Sequence, residues 1–162
     1  RYEEDKTLTK TMINNYTKNN LLPPPEKKRY TKEHLILLIY IYYLKNVVSI
    51  SDIQIMLKPL IDHYFENPDA PHSLEEIYAS LYKLEQHQHF RVENSVVKTF
   101  ELSERDFPGA DDKYIKNLNF LSLLGYDIFI KKKIMEQIID EMAAEQEQTN
   151  EKDKKKKKKD ET

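Results

Sequence analysis

Hydrophobic residues recur at helical spacing along most of the chain, and helix-capping residues precede several of these runs. Thr9 is a candidate N-cap for a short first helix that ends near Asn20. A second run follows Thr31 and is apolar around much of its circumference, which predicts the central helix of the core. The apolar positions of these two helices are Met12, Ile13, Tyr16, Leu35, Leu38, Ile39, Tyr42 and Tyr43.

Two further helices begin at capping motifs. Ser49 followed by Asp52 predicts the start of a third helix, which Pro59 is expected to bend or end. Ser73 and Glu76 have the spacing of a capping box and predict the start of a fourth helix.

The second half of the chain is predicted to be largely helical. Residues 92–102 fit helical spacing, although their β-branched side chains would also suit a strand. From Tyr114 to about residue 147 the pattern predicts one long helix or two, with Gly125 as the weak point.

These elements predict a mainly α protein, a winged helix-turn-helix head followed by a helical bundle body with a long C-terminal helix. The expected parts are a head over residues 1–60, a body over residues 61–147 that serves dimerisation or effector binding, and a charged tail over residues 148–162. The tail has nothing to bury and is expected to be disordered, and its lysine run is expected to aid solubility rather than bind nucleic acid. With only 2 Gly residues, the chain is a poor candidate for a barrel or sandwich with many tight turns.

Composition removes several classes of chemistry. There is no Cys, so disulfides, thiolate metal sites and cysteine nucleophiles are excluded. No phosphate-cradling Gly loop or nucleophile constellation is present, and His87 and His89 point to different sides of a helix. We therefore expect no enzyme activity, cofactor or metal. No membrane-spanning run or secretory signal is present, so a cytoplasmic protein is expected.

Charge is distributed unevenly along the chain. The formal net charge is −2, but the stretch from Lys6 to Lys32 has seven basic residues and one acidic residue, a net charge of +6. Residues 62–112 have twelve acidic and four basic residues, a net charge of −8. This distribution predicts a polyanionic partner for the head alone. The alternative, that both stretches are simply solvated surfaces, stays open.

Four short segments follow one another in the head: Ile-Asn-Asn-Tyr at residues 13–16, Asn-Leu-Leu-Pro-Pro at 20–24, Arg-Tyr at 29–30, and Val-Val-Ser-Ile-Ser-Asp-Ile at 47–53. Their order resembles the DNA-binding head of MerR-type winged-helix regulators. The match covers roughly a third of the chain. The whole chain also resembles a bacterial YkrK-like domain-of-unknown-function family, whose few studied members are described as repressors.

The head departs from the MerR-type pattern in three ways. A helix normally precedes the recognition helix, and residues 1–8 are too few and too polar to supply it. We expect the chain to be a fragment or a processed form that lost this helix, or the helix to lie further upstream. The usual Arg is absent at Asn14 and Asn15, so base reading would differ. Asn20 replaces the turn Gly and is expected to adopt a left-handed conformation.

The residues and the resemblance together predict a DNA interface on the head. Outward Asn side chains can bond adenine in a major groove, while Lys and Thr near the helix start can meet phosphate. After the three prolines at residues 23–25, a basic wing would reach the neighbouring backbone or minor groove. Outward polar residues that only keep the helix in solution are the alternative. The predicted DNA-binding residues are Lys10, Thr11, Asn14, Asn15, Lys18, Lys27, Lys28, Arg29 and Tyr30.

The predicted function is sequence-specific binding of double-stranded DNA by a transcriptional regulator, a repressor rather than an activator. One head reads only a few base pairs, so a homodimer on a pseudo-palindrome is expected. The stripe from Ile128 to Met142 is the predicted dimer seam, or else packs against the helix that follows Ser73. A helical protein-interaction module with a degenerate winged helix is the alternative function.

Overall fold

The computed structural model describes residues 8–105 and 113–160, with side chains through residue 152. The described residues form five α-helices and no extended strand, apart from an isolated bridge between Glu26 and Arg29. The expected mainly α fold with a long C-terminal helix is confirmed. The helices are α1 (Lys10–Lys18), α2 (Lys32–Leu44), α3 (Ile50–Tyr64), α4 (Leu74–Ser103) and α5 (Lys113–Asp160).

Contacts divide the chain into two compact units. One, the core unit, combines the chain up to Glu76 with the chain from Met135 onward. The other, Ile77–Ile134, we call the helical pair because it contains most of α4 and the first part of α5. The boundary expected after residue 60 falls inside α3, since that helix continues without interruption to Tyr64.

The hydrophobic core is built around α2, as its composition predicts. Leu37 and Ile41 are fully buried, and the interior also receives the two leucines that follow α1. Leu35 and Tyr43, two of the apolar positions of this predicted core helix, are exposed, because α2 is apolar on most sides and the head covers only some of them. The buried hydrophobic residues are Tyr16, Leu21, Leu22, Ile36, Leu37, Leu38, Ile41, Val48, Ile53, Leu57, Leu74 and Ile139.

Side chains that precede the helices satisfy backbone N–H groups in the first turns. Thr9 Oγ1 accepts a bond from the Met12 N–H at 3.2 Å. At α3, Ser49 Oγ accepts from the Asp52 N–H at 3.1 Å, and Asp52 accepts from the Ser49 N–H at 2.9 Å. The N-caps expected at these positions are confirmed. Each such cap contributes typically about 1 kcal/mol to helix stability.

The capping box at the start of α4 makes this end of the helix sensitive to pH. The Ser73 N–H donates to Glu76 Oε2 at 2.9 Å, and Ser73 Oγ accepts from the Glu76 N–H at 3.2 Å. The bond from the Ser73 backbone is the main reason that the pKa of Glu76 lies below its ordinary value of 4.5.

Acidification is expected to loosen the first turn of α4. Because the pKa of Glu76 is lowered in the folded state, its stabilising contribution is present above pH 4.5 and is lost as the pH falls through the lower folded value. Amide hydrogen exchange at Ser73, followed from pH 6 downward and corrected for intrinsic rates, measures this. The Glu76→Gln variant keeps an acceptor oxygen and should lose the pH dependence. Equal Ser73 protection across that range in the unchanged chain would contradict the assignment.

Pro59 was expected to bend or end α3, and the helix does not end there but continues to Tyr64. Proline has no N–H, so it leaves the carbonyl of Ile55, four residues earlier, without its helical donor. The side chain of Gln146, on α5, fills this role, since its Nε2 donates to the Ile55 oxygen at 2.8 Å. A residue 91 positions away therefore bonds this carbonyl and joins α3 to α5.

Replacing Gln146 with leucine is expected to destabilise the core unit by about 1 kcal/mol, because the Ile55 carbonyl loses its donor in a partly buried place. In a Pro59→Ala background the new backbone N–H bonds that carbonyl, so the same replacement should cost much less. A double-mutant cycle measured by urea unfolding tests this coupling. Equal costs in both backgrounds would show that the hydrogen bond does not compensate for the proline.

The two longest helices, α4 and α5, include three segments whose helical structure was in doubt from the sequence. Residues 92–102 lie within α4, so the helical alternative holds there. Gly125 does not interrupt α5, which is one continuous helix. The helix also runs through residues 148–160, where disorder was expected, because Lys, Glu and Gln favour helix even without packing. None of the described helices is long and apolar enough to cross a membrane.

Candidate nucleic-acid interface

The end of α1 is closed by a left-handed residue that turns the chain back into the core. Asn20 has a φ of 56°, which confirms the expectation for the position that replaces the turn Gly. The Leu21 N–H donates to the Tyr16 carbonyl at 2.9 Å, and the Asn20 N–H donates to the Thr17 carbonyl at 3.2 Å. These two bonds form a Schellman motif, after which Leu21 and Leu22 are buried.

The position of α1 is held by the core on one side only. Tyr16 is buried, and this burial raises the pKa of its hydroxyl, while Met12 and Ile13 are half-buried. At the end of the helix, Gln54 Nε2 on α3 donates to the Asn19 carbonyl at 3.2 Å. The opposite side is exposed and carries the five predicted α1 site residues, Lys10, Thr11, Asn14, Asn15 and Lys18.

A tight turn follows the three prolines. The Arg29 N–H donates to the Glu26 carbonyl at 2.8 Å, and the two residues form the isolated bridge. Between them Lys27 has a φ of 46° and Lys28 a φ of 64°. Two positive φ values in succession are typical of a type I′ hairpin turn, which normally takes Asn or Gly. We call residues 26–29 the basic turn. The turn holds two lysines in a conformation that costs each about 1–2 kcal/mol.

The exposed side of α1 and the basic turn border a common cleft. Its volume is about 570 Å³. Four predicted site residues therefore lie together around one depression, with an apolar residue and a proline between them. The lining residues are Lys10, Ile13, Asn14, Pro25, Lys28 and Tyr30.

The other five predicted residues lie outside the lining of this cleft. They are exposed, so they remain accessible on the same part of the core unit. They are therefore accessible from solvent but do not line the cleft. These residues are Thr11, Asn15, Lys18, Lys27 and Arg29.

The cations of this region are not used in ion pairs within the part of the chain that the structure describes. By contrast, Lys32, just beyond the basic turn, forms an ion pair with Glu75, with 3.5 Å between Lys32 Nζ and Glu75 Oε1. An exposed cation without a carboxylate partner is available to a polyanion without breaking an internal contact. The cations without an ion-pair partner among the described carboxylates are Lys10, Lys18, Lys27, Lys28 and Arg29.

A buried histidine beside the cleft was missed from the sequence. His34 Nδ1 accepts from the Thr31 N–H at 3.1 Å and so completes a capping box at the start of α2. Its ring meets Tyr30 edge-on, with centroids 5.4 Å apart, and Phe65 at 4.8 Å. His34 thereby helps to place Tyr30 at the cleft. The signal in the sequence was a residue able to accept a bond three positions after the Thr31 cap.

No metal site forms in the described part of the chain, where no three His, Cys, Asp or Glu residues approach one another closely enough. Near the pair considered in the sequence, His89 Nε2 instead lies 3.2 Å from a Glu93 oxygen one helical turn away. This contact is an ordinary exposed pair on one helix and contributes little.

Comparison with known proteins identifies a family for the half of the chain that carries the cleft. A family model with the description domain of unknown function (DUF1836) matches residues 1–81, which include α1, α2, α3 and the start of α4. No curated protein and no solved structure shows significant similarity to the chain. The chain belongs to the DUF1836 family of domains of unknown function.

Proposed function

We propose that this protein is a sequence-specific DNA-binding transcriptional regulator with a MerR-like winged-helix head, and that it acts as a homodimeric repressor. One observation carries the proposal: Lys10 and Asn14 of α1 line the same cleft as Lys28 of the basic turn. The two segments that would contact a duplex are thus neighbours on one surface rather than opposite sides of the head.

In this proposal α1 is the recognition helix. An α-helix with its side chains is about 10–12 Å across, which fits the major groove of B-DNA, about 12 Å wide. The amides of Asn14 and Asn15 can each donate to and accept from an adenine edge. Lys10 and Thr11 lie at the first turn, where free backbone N–H groups and the helix dipole also favour phosphate.

The basic turn is the proposed wing. Its hairpin follows three prolines whose fixed φ limits movement of the segment, so Lys27, Lys28 and Arg29 are presented on a restrained support. Restraint lowers the ordering cost of binding. These cations would contact the phosphates or the minor groove beside the groove that α1 occupies.

The repressor assignment comes from the likeness to the YkrK-like family. Binding as a homodimer follows from the size of the head, since one short helix contacts only a few base pairs and a second head is needed for a unique site.

Selection of duplexes from a random DNA pool with the full chain tests this proposal. We expect enrichment of a pseudo-palindromic site, with Asn14→Ala relaxing the preference at one position by about 1–3 kcal/mol. Failure to enrich any site, together with affinity that does not change with salt concentration, would refute the proposal.

A protein-interaction module is the second candidate, and the exposure of Leu35 and Tyr43 on α2 favours it. Both side chains belong to the same helix, and large apolar side chains grouped on a surface often mark a binding site. Leu35→Glu separates the two functions, because it should abolish partner binding but leave DNA affinity unchanged.

A further inference from the structure

The cleft between α1 and the basic turn has the size and the mixed lining of a small-molecule site. Its volume of about 570 Å³ lies within the range of roughly 300–1,000 Å³ that ligand pockets occupy. Three of its lining residues present apolar surface, and the other three end in a cation or an amide. The phosphates of DNA would use the polar half of this lining but have nothing to place against the apolar half. The apolar half therefore indicates a second kind of ligand.

The apolar half of the cleft consists of Ile13, Pro25 and Tyr30. Ile13 and Pro25 are half-buried, and Tyr30 is 44% exposed. His34, which is 1% exposed, meets the Tyr30 ring edge-on with centroids 5.4 Å apart and so restrains it. An aromatic ring that is already restrained offers contact area to another flat ring at little ordering cost. This half of the cleft therefore suits a flat apolar group.

The polar half of the cleft selects for negative charge. Lys10 and Lys28 are exposed, and neither forms an ion pair with a described carboxylate. No acidic residue belongs to the lining, and the Asn14 amide adds a hydrogen-bond donor. A carboxylate or phosphate group on a small molecule would be attracted by both lysines without displacing an internal partner.

The backbone at Lys28 gives independent support for a binding role. Its φ of 64° lies in the left-handed region, which a lysine adopts only at a cost. Backbone strain of this kind is found preferentially at binding sites, where the surrounding structure maintains it. Lys27 has a similar φ of 46° but does not line the cleft. The strained turn thus brings one of its two lysines to the cleft and leaves the other outside.

We propose that the cleft binds a small organic anion with a flat apolar ring, and that this ligand excludes DNA. Both the ligand and a duplex are anions, so they cannot use Lys10 and Lys28 at the same time. The exclusion rests on the proposed function, whereas the ligand site itself does not. An effector would then act in the head rather than in the body, where the sequence analysis had allowed for one.

NMR titration of the full chain with 2-naphthoate, in the absence of DNA, tests the ligand site. We expect saturable shifts of the backbone amide signals of Asn14, Lys28 and Tyr30, with a dissociation constant of about 1 mM, as is typical of a probe of this size. Two matched probes separate the contacts, since 2-naphthamide has the same ring without the charge and acetate has the carboxylate without the ring. Each should bind at least about threefold more weakly than 2-naphthoate.

Two substitutions within the basic turn form a matched pair. Lys28→Asn and Lys27→Asn each remove one charge and introduce a residue that favours positive φ, so both variants keep the turn. Lys28→Asn should weaken 2-naphthoate binding about threefold and leave 2-naphthamide binding unchanged, because only the charged contact is lost. Lys27→Asn should change neither, since Lys27 does not line the cleft.

Four results would overturn the ligand site. They are the absence of saturation by about 20 mM 2-naphthoate, equal affinity for either matched probe, equal weakening by the two Asn variants, and shifts confined to the helical pair. With a selected duplex, 2-naphthoate should lower DNA affinity in step with occupation of the cleft, and unchanged DNA affinity at saturation would overturn the exclusion. A chain that binds 2-naphthoate but no duplex would refute the proposed function and leave the ligand site supported.

Discussion

Replacing Lys28 or Arg29 with alanine is expected to flatten the salt dependence of DNA binding by about 0.9 in log–log slope for each residue. At about 0.1 M salt this corresponds to roughly a tenfold loss of affinity per phosphate contact. Both side chains are exposed, and neither pairs with a described carboxylate, so the change removes charge without breaking an internal ion pair. Fluorescence anisotropy with a selected duplex over a range of salt concentrations gives the slope.

Two controls separate charge from the shape of the basic turn. Lys83→Ala removes an exposed cation from α4 and should leave the slope unchanged. The pair Lys27→Asn and Lys28→Gly places residues that favour positive φ in the turn, so the hairpin is kept or strengthened while two charges are lost. We expect this pair to lose affinity as the alanine variants do. Slopes equal to that of the unchanged chain in every turn variant would show that the turn does not contact phosphate.

Replacing Leu21 with alanine is expected to lower the free energy of unfolding of the core unit by about 2–5 kcal/mol. Leu21 is 1% exposed, and its N–H bonds the Tyr16 carbonyl at the end of α1. The loss combines the missing hydrophobic contacts with the cavity left behind. Because total stability is of the order of 5–15 kcal/mol, α1 should also become mobile, and DNA affinity should fall with it. Urea unfolding followed by circular dichroism measures the stability change.

Leu35→Ala provides the matched control for Leu21→Ala. The residue type and the change are the same, but Leu35 is 59% exposed. We expect a change within about 0.5 kcal/mol, as for most surface substitutions. A loss at Leu35 as large as at Leu21 would mean that this part of α2 is covered in solution, which would favour the interaction-module alternative.

Features that depend on nearby residues were predictable from the sequence. The caps at Thr9 and Ser49 require only an acceptor side chain followed by the first turn of a helix. The left-handed Asn20 follows from the need to turn the chain between a polar helix and two buried leucines. The exposure of all nine predicted site residues was also predictable, because the apolar residues that face the core could be identified in each short segment.

Features that depend on distant residues were not predictable. Proline usually stops a helix, but α3 continues past Pro59, and the donor that the Ile55 carbonyl lacks comes from Gln146, far away in the sequence. The hydrophobic pattern also could not show which apolar sides of α2 would lack a cover, and Leu35 is among the residues left exposed. For the cleft, the sequence named the residues, but only the structure brings Asn14 and Lys28 to the same depression.

The hydrogen bond between Gln146 and the Ile55 carbonyl bears on the order in which the protein matures on the ribosome. Ile55 is synthesised early, and Gln146, which supplies the donor, follows 91 residues later. The first helices can form as they leave the exit tunnel, but the Ile55 carbonyl stays without its donor until the C-terminal helix has been made. Truncated chains released before that point should be the forms most readily degraded by cellular proteases.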